Sequence, residues 1–227
     1  MEKKIINIPD DWYSKLQPFL STPEFLTIGK TVALKRNQLN VFPKRDEVFR
    51  AFQVTPLNEV KILILGQDPY PNLYADEPVA CGLSFCPRNK NYLPPSLRII
   101  KEKLQNTYGQ EIDYVDIEKW AKQGVLMLNS ALTVEHGRAG SHNKLWEPFT
   151  KEVFKVLNEH STGIIYILWG KEAQQFEELI GPNNYVLKAN HPVSAVYKGG
   201  VWDCDHFVQA NKILKHINGD KFQINWI

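Results

Sequence analysis

Four short apolar runs divide this chain, and segments of helical spacing separate them. The runs occupy residues 62–65, 125–128, 164–169 and Tyr185–Ala189. They are too short for typical helices and rich in β-branched and aromatic side chains, so they read as strands buried in a parallel sheet. Helical patterns cover 96–107, 116–123, 146–159 and 171–179, and a last one over 205–217 closes the chain before a short tail. Pro95 stands where the first of these would start, and Gly109 follows its end, the usual punctuation of a helix. Phe149, Val153, Val156 and Leu157 recur at helical spacing. Two amphipathic helices, Asp10–Leu20 and 44–52, precede the first strand. Strands alternating with helices predict an α/β fold: a single domain with a central four-stranded parallel sheet flanked by helices on both faces. No linker or repeat interrupts it, so the domain spans 1–227, with a helical N-terminal part at 8–55 and an α/β core at 60–217.

In such a sheet the turns after the strands share one edge, and ligands bind there. The first turn reads Gly66-Gln67-Asp68-Pro69-Tyr70. Pro69 fixes its own φ and keeps Asp68 out of helical geometry, so the carboxylate projects from a stiff support. An Asp-Pro pair can also simply stop a strand. The other turns weigh against that: Asn129 follows the second strand, Gly170 the third and Asn190-His191-Pro192 the fourth. An Asp, an Asn and a His from distant parts of the chain converge on one edge.

Composition narrows the classes. Among 227 residues, 43% are hydrophobic and 23% charged, ordinary for a globular protein. The net charge of +2 does not by itself argue for nucleic acid, so any basic surface is local. Cys81, Cys86 and Cys204 are odd in number and form no C-x-x-C pair, which fits reduced thiols better than a disulfide framework. A metal site built from them with His206 matches no common ligand spacing. The opening Met-Glu-Lys-Lys-Ile-Ile-Asn lacks the apolar stretch of a signal peptide. No run approaches the roughly 18 apolar residues of a membrane span. The expected location is cytoplasmic, at the nucleoid if DNA is the substrate.

From Asp46 to His191 the chain resembles the family 1 uracil-DNA glycosylases, enzymes that remove uracil from DNA. Gly66-Gln67-Asp68-Pro69-Tyr70 looks like the family's water-activating loop. Ala80-x-Gly82-Leu83-Ser84-Phe85 resembles its base-stacking segment, and Pro94-Pro95-Ser96-Leu97-Arg98 its proline-rich backbone-binding loop. Gly124-Val125-Leu126-Met127-Leu128-Asn129 followed by Leu132-Thr133-Val134 is similar to the strand that carries the uracil-reading Asn. Ser141-His142, Trp146-Glu147-x-Phe149-Thr150, Leu168-Trp169-Gly170-Lys171-x-Ala173-Gln174 and His191-Pro192 complete the set. Any one motif is weak; their order and spacing together are specific.

The resemblance implies roles. Asp68 positions the attacking water and stabilises the cationic sugar. His191, as a neutral imidazole, donates to uracil O2 as charge grows there. The amide of Asn129, one donor and one acceptor, matches O4 and N3–H of uracil, where cytosine presents the reverse pattern. Phe85 stacks on the extruded ring, Tyr70 excludes the methyl group of thymine, and Gln67 contacts the base. Pro95, Ser96, Gly170, Lys171 and Ser194 are expected on the DNA backbone, with Lys198 adding charge nearby. No metal or organic cofactor is implied, because the nucleophile is water. The implied partner is uracil-containing DNA, single- or double-stranded, with a proteinaceous inhibitor as a further candidate. A monomer without membrane attachment is expected.

Three departures stand out. Pro71 replaces the family's usual His, and about four extra residues lie around 73–78. The family's leucine loop, His-Pro-Ser-Pro-Leu-Ser, here reads His191-Pro192-Val193-Ser194-Ala195-Val196-Tyr197. The intercalating Leu falls on Ala195 without a gap and on Val196 with one, and Tyr197 is a further replacement. These changes keep two alternatives beside an active glycosylase: a DNA-binding or assembly protein that has lost turnover, and a glycosylase with shifted strand or base preference.

Overall fold

This computed structural model describes residues 6–197 and 201–227, without the side chains of Ala195 and Val196; Lys198 lies outside the described residues. In chain order the elements are α1 (Asp10–Leu20), α2 (Pro23–Gln38), β1 (Val41–Phe42), α3 (Arg50–Val54), β2 (Ile62–Gly66), β3 (Leu73–Tyr74), β4 (Glu77–Pro78), α4 (Pro95–Tyr108) and α5 (Ile117–Ala121). Then come β5 (Val125–Asn129), β6 (Val134–Glu135), α6 (Asn143–His160), β7 (Ile165–Trp169), α7 (Lys171–Gln174), β8 (Tyr185–Ala189), α8 (Pro192–Tyr197) and α9 (His206–Asn218).

The predicted four-stranded sheet is present in the order β5-β2-β7-β8, and every pairing is parallel. All residues of β2, β5 and β7 are buried, whereas β8 is half exposed at the edge. The register sets Gly66 opposite Asn129 and Trp169 opposite Ala189. The strands therefore end in line, and the turns that follow them share one rim.

Side-chain alternation along β7 sends apolar surface to both faces. Tyr166 packs on Phe154 of α6, and Trp169 meets Phe207 of α9 on the other face. The α6 side is a cluster of edge-on and tilted rings: Phe149 touches Phe25, Phe49 and Phe52, and Phe52 meets Trp12. On the α9 side Trp120, Phe207 and Trp226 pack together. The indole of Trp226 donates to Phe207 O and that of Trp120 to Trp226 O, so the tail is part of the core.

Several elements differ from the sequence reading. α2 carries start signals, a Thr22 hydroxyl accepting from Phe25 N–H and Pro23 at the first position. Its core stripe is only Phe25, Ile28 and Val32, and the exposed Leu26 and Leu34 blur the periodicity. The expected helix at 44–52 divides into a 3₁₀ turn, Arg45–Glu47, and α3. The one at 171–179 divides likewise, because Phe176 turns in against Phe154 and α7 ends at Gln174. The segment after His191 is not an open loop: Pro192–Tyr197 forms α8, with Pro at the first helical position, where its missing N–H costs nothing. The extra residues at 73–78 fold as the β3–β4 hairpin. Ala75 and Asp76 at its tip have φ of 49° and 63°, as a two-residue primed turn requires.

Candidate active site

The turn after β2 is tied to the turn after β5. Ser130 N–H donates to Gly66 O and Ala131 N–H to Gln67 O, both at 2.9 Å, and the Ser130 hydroxyl also reaches Gln67 O. Asp68 is thereby held at the rim. Its Oδ2 accepts a 2.5 Å hydrogen bond from Gly140 N–H. Burial pushes the carboxyl above its ordinary range; the Gly140 bond opposes this, and the charge of Glu172 adds to it.

Asn129 ends β5 and is 6% exposed. A Cβ on Gly66 would stand 2.3 Å from Asn129 Oδ1 and 2.9 Å from Ser84 Cβ, so only glycine opposite Asn129 leaves room for the amide. Among the described residues that amide has no hydrogen-bond partner. Its donor and acceptor are both available to a ligand.

Ser84 fastens the next wall across the sheet rim. Its N–H donates to Met127 O and its hydroxyl to Ile64 O. Phe85 follows with φ of 58°, a conformation that costs a bulky residue about 1–3 kcal/mol and persists where surrounding structure imposes it. The ring lies edge-on to Trp169 and is inclined 30° to His191, 6.1 Å between centroids.

His191 sits in the turn after β8, steadied where the Trp202 indole donates to Asn190 O. Gly170 allows the imidazole its place: a Cβ there would lie 2.8 Å from His191 Cβ, and φ is +90°. Val193 N–H donates to His191 Nδ1 at 3.3 Å. Burial lowers the pKa of the ring. A neutral ring whose Nδ1 accepts must carry its proton on Nε2. Tyr70 and Ser96 pair through their hydroxyls at 2.9 Å, and burial raises the pKa of the phenol.

Gln67, Asp68, Tyr70, Phe85, Pro95, Ser96, Asn129 and His191 all line one cavity of about 280 Å³, joined by Val193 and Tyr197. Gly170, Lys171 and Ser194 do not line it. Gly170 shapes it from behind, Lys171 begins α7, and Ser194 is exposed on α8. Ser96 is buried, 4% exposed, with its hydroxyl on Tyr70, so what it can offer a backbone phosphate is its N–H in the first turn of α4. For Ala195 and Val196 only the helical backbone is described. A larger depression of about 820 Å³ lies beside the site, lined by Gly140, Lys144, Glu147, Lys151 and Glu172 among others. It is open and polar, with Lys151 paired to Glu147, and gathers no reactive set. Among the described residues no three His, Cys, Asp or Glu side chains are close enough to share a metal ion.

Two contributors had no sequence signal, and a third, Tyr197, was marked only as a replacement in the altered loop. The Gly140 and Val193 donors are backbone groups, which no residue type announces. Tyr197 reaches the cavity because the segment before it is helical. The arrangement suits a flat ring with hydrogen-bonding edges: an aromatic wall, an amide at one edge, an N–H donor, and a carboxylate standing apart.

The uracil DNA glycosylase superfamily model matches residues 52–215. The chain is 38% identical over 222 residues to the uracil-DNA glycosylase of Fusobacterium nucleatum, covering 96% of each. It is 39% identical over 221 residues to that of Escherichia fergusonii, covering 95% of this chain and 94% of the relative. A single-residue variant of mimivirus UNG, solved in complex with UGI, superposes with a TM-score of 0.88 at 26% identity, covering 100% of this chain and 91% of that one. A family match over most of its length and these relatives at 38–39% identity show that this chain belongs to the uracil DNA glycosylase superfamily.

Proposed function

We propose that this protein hydrolyses the N-glycosidic bond of deoxyuridine in DNA, releasing free uracil and leaving an abasic site. The observation that carries this reading is the shared cavity of Asp68, Phe85, Asn129 and His191. A base inside a duplex cannot enter it, so the nucleotide is extruded at a cost of roughly a few kcal/mol. Phe85 stacks on the ring. The Asn129 amide pairs with O4 and N3–H, and Tyr70 closes the space beside C5. As the bond stretches, the base gains negative charge and the sugar positive charge. His191 Nε2–H faces the first and the Asp68 carboxylate the second. The Asp68 carboxylate in that cavity can serve a water as the attacking group, and on this reading the activity is monofunctional, without a lyase step. Ser96 N–H, Gly170-Lys171 and Ser194 hold phosphates on either side, which gives position without sequence preference. The mimivirus relative solved with UGI makes a proteinaceous inhibitor a candidate partner here too.

Release of free uracil from labelled oligonucleotides tests the reading, with thymine- and cytosine-containing strands as controls. Asn129→Asp should weaken uracil excision and permit some cytosine excision, because a protonated carboxyl presents the complementary pattern. Tyr70→Ala should admit thymine. Strict uracil selectivity in both variants would place the specificity elsewhere.

The same assay resolves strand preference. Extrusion from a duplex leaves a gap in the stack, and a wedge in that gap offsets part of the cost. Tyr197, 86% exposed at the cavity rim, is the aromatic side chain placed to fill it. Single-stranded substrate requires no wedge and should be cleaved faster. Tyr197→Ala should slow excision from duplex about tenfold and from single strands much less, given that base–aromatic stacking is worth about 1–3 kcal/mol. Equal losses on both substrates would remove Tyr197 from this role.

A further inference from the structure

The turn between β6 and α6 carries a buried charge that none of the roles above uses. Glu135 is 2% exposed. One carboxylate oxygen pairs with Lys35 of α2 and the other with Arg138 of its own turn. His142 Nε2 stands 3.6 Å from the first oxygen. The indole of Trp146 donates to the Thr133 hydroxyl, which in turn meets His142 Nδ1, each at 2.7 Å. His142 Nε2 itself makes no hydrogen bond among the described residues. The backbone of Glu135 is tied as well, its N–H donating to Ser141 Oγ at 2.9 Å. Glu135 thus pins α2 through Lys35 and the turn through Arg138 and Ser141.

The pinned turn grips the loop of Asp68 at two points. Gly137 N–H donates to Pro71 O at 2.9 Å, and Gly140 N–H donates to Asp68 Oδ2. We propose that Glu135 is a positioning residue for the reaction: its clamp on Lys35 and Arg138 aims Gly140 N–H at the Asp68 carboxylate and holds that carboxylate toward the sugar.

This inference rests on the reading of Asp68 as the carboxylate that serves water and sugar. Gly140 N–H is the group that opposes the effect of burial on Asp68. The titratable groups around Asp68 are Glu172 at the start of α7 and, lining the same cavity, His191 and Tyr70. Those around Glu135 are Lys35, Arg138 and His142, with Arg36 also acting on His142. If the turn loosens, Asp68 loses a donor to its charged form and holds its proton to higher pH.

The test is single-turnover uracil release by Glu135→Gln as a function of pH. Lys35 and Arg138 are 34% and 71% exposed at their side chains, so water can take up both when the carboxylate is neutralised, and the fold should persist. The acid limb of the profile should move up by about one pH unit, the equivalent of a tenfold change at fixed acid pH. DNA affinity should stay unchanged. Hydrogen exchange at the amides of Gly137 and Gly140 should quicken. Ser141→Ala, which removes the backbone tie, should move the limb the same way and carries the test if the first variant does not fold. An acid limb that stays in place in the folded variants, even with reduced thermal stability, would overturn the proposal. Asp68→Asn is the control. If it keeps both rate and acid limb, the reading of Asp68 fails; if it is inactive while Glu135→Gln leaves the limb unmoved, only the role of Glu135 fails.

Discussion

Asp68→Asn is expected to lower single-turnover uracil excision by at least about 10²-fold, the scale of one positioned catalytic group, while leaving DNA affinity near wild type. The asparagine is nearly isosteric, and its carbonyl oxygen can still accept from Gly140 N–H, which in the wild type binds Oδ2. What disappears is the negative charge facing the forming sugar cation and the acceptor for a water proton. The pH profile carries the same signature. Burial raises the pKa of Asp68, and the ionised form is the active one. Activity should therefore fall as pH drops through a value above the ordinary carboxylate range, and that limb should vanish in the variant. Stability should move the other way. A carboxyl whose folded pKa exceeds its unfolded one withholds stability once pH is above both, because its charge is better solvated in the unfolded chain. Asp68→Asn should thus be as stable as wild type at neutral pH, or more so, as measured by thermal melting. Near wild-type turnover in this variant would remove Asp68 from the chemistry.

The course of the chain shows why Asp68 was legible in the sequence and its donor was not. The strands announced themselves because burial on both faces demands continuous apolar runs, and β2, β5 and β7 are buried throughout. Breaker residues then marked where each run stops, and a parallel sheet brings those stops together. Asp68, Asn129 and His191 follow from that rule before any resemblance is considered. The same rule is silent about backbone donors. Gly140 lies 72 residues from Asp68, in a turn shaped by Glu135, and no periodicity encodes that approach. α2 escaped for a different reason: it covers the core with three side chains and leaves Leu26 and Leu34 in water. The segment 193–197 was legible only as a departure from the family pattern, and Pro192 at its head accounts for its helical course.

His191→Ala is expected to lose at least about 10²-fold in the chemical step, comparable with deleting one donor from an oxyanion site. Val193 N–H occupies Nδ1, so the ring has one proton to offer, on Nε2, and the imidazole lines the cavity shared with Asn129. Phe85 packs against the imidazole at an inclination of 30° and Gly170 backs it, so the ring is aimed before substrate arrives. A donor fixed in advance stabilises charge that develops only as the bond breaks, and it does little for the resting base. The loss should accordingly appear in the single-turnover rate, with affinity for uracil-containing DNA nearly unchanged. Protonation state gives a second check. Burial lowers the pKa of the ring, so an inflection from this group in the wild-type rate should lie below the unperturbed value of about 6.5. His191→Gln, whose amide can present an N–H, should recover part of what alanine loses. If alanine instead weakens binding and spares the chemical step, His191 grips the base in its ground state, and the charge that forms on uracil is stabilised by another group.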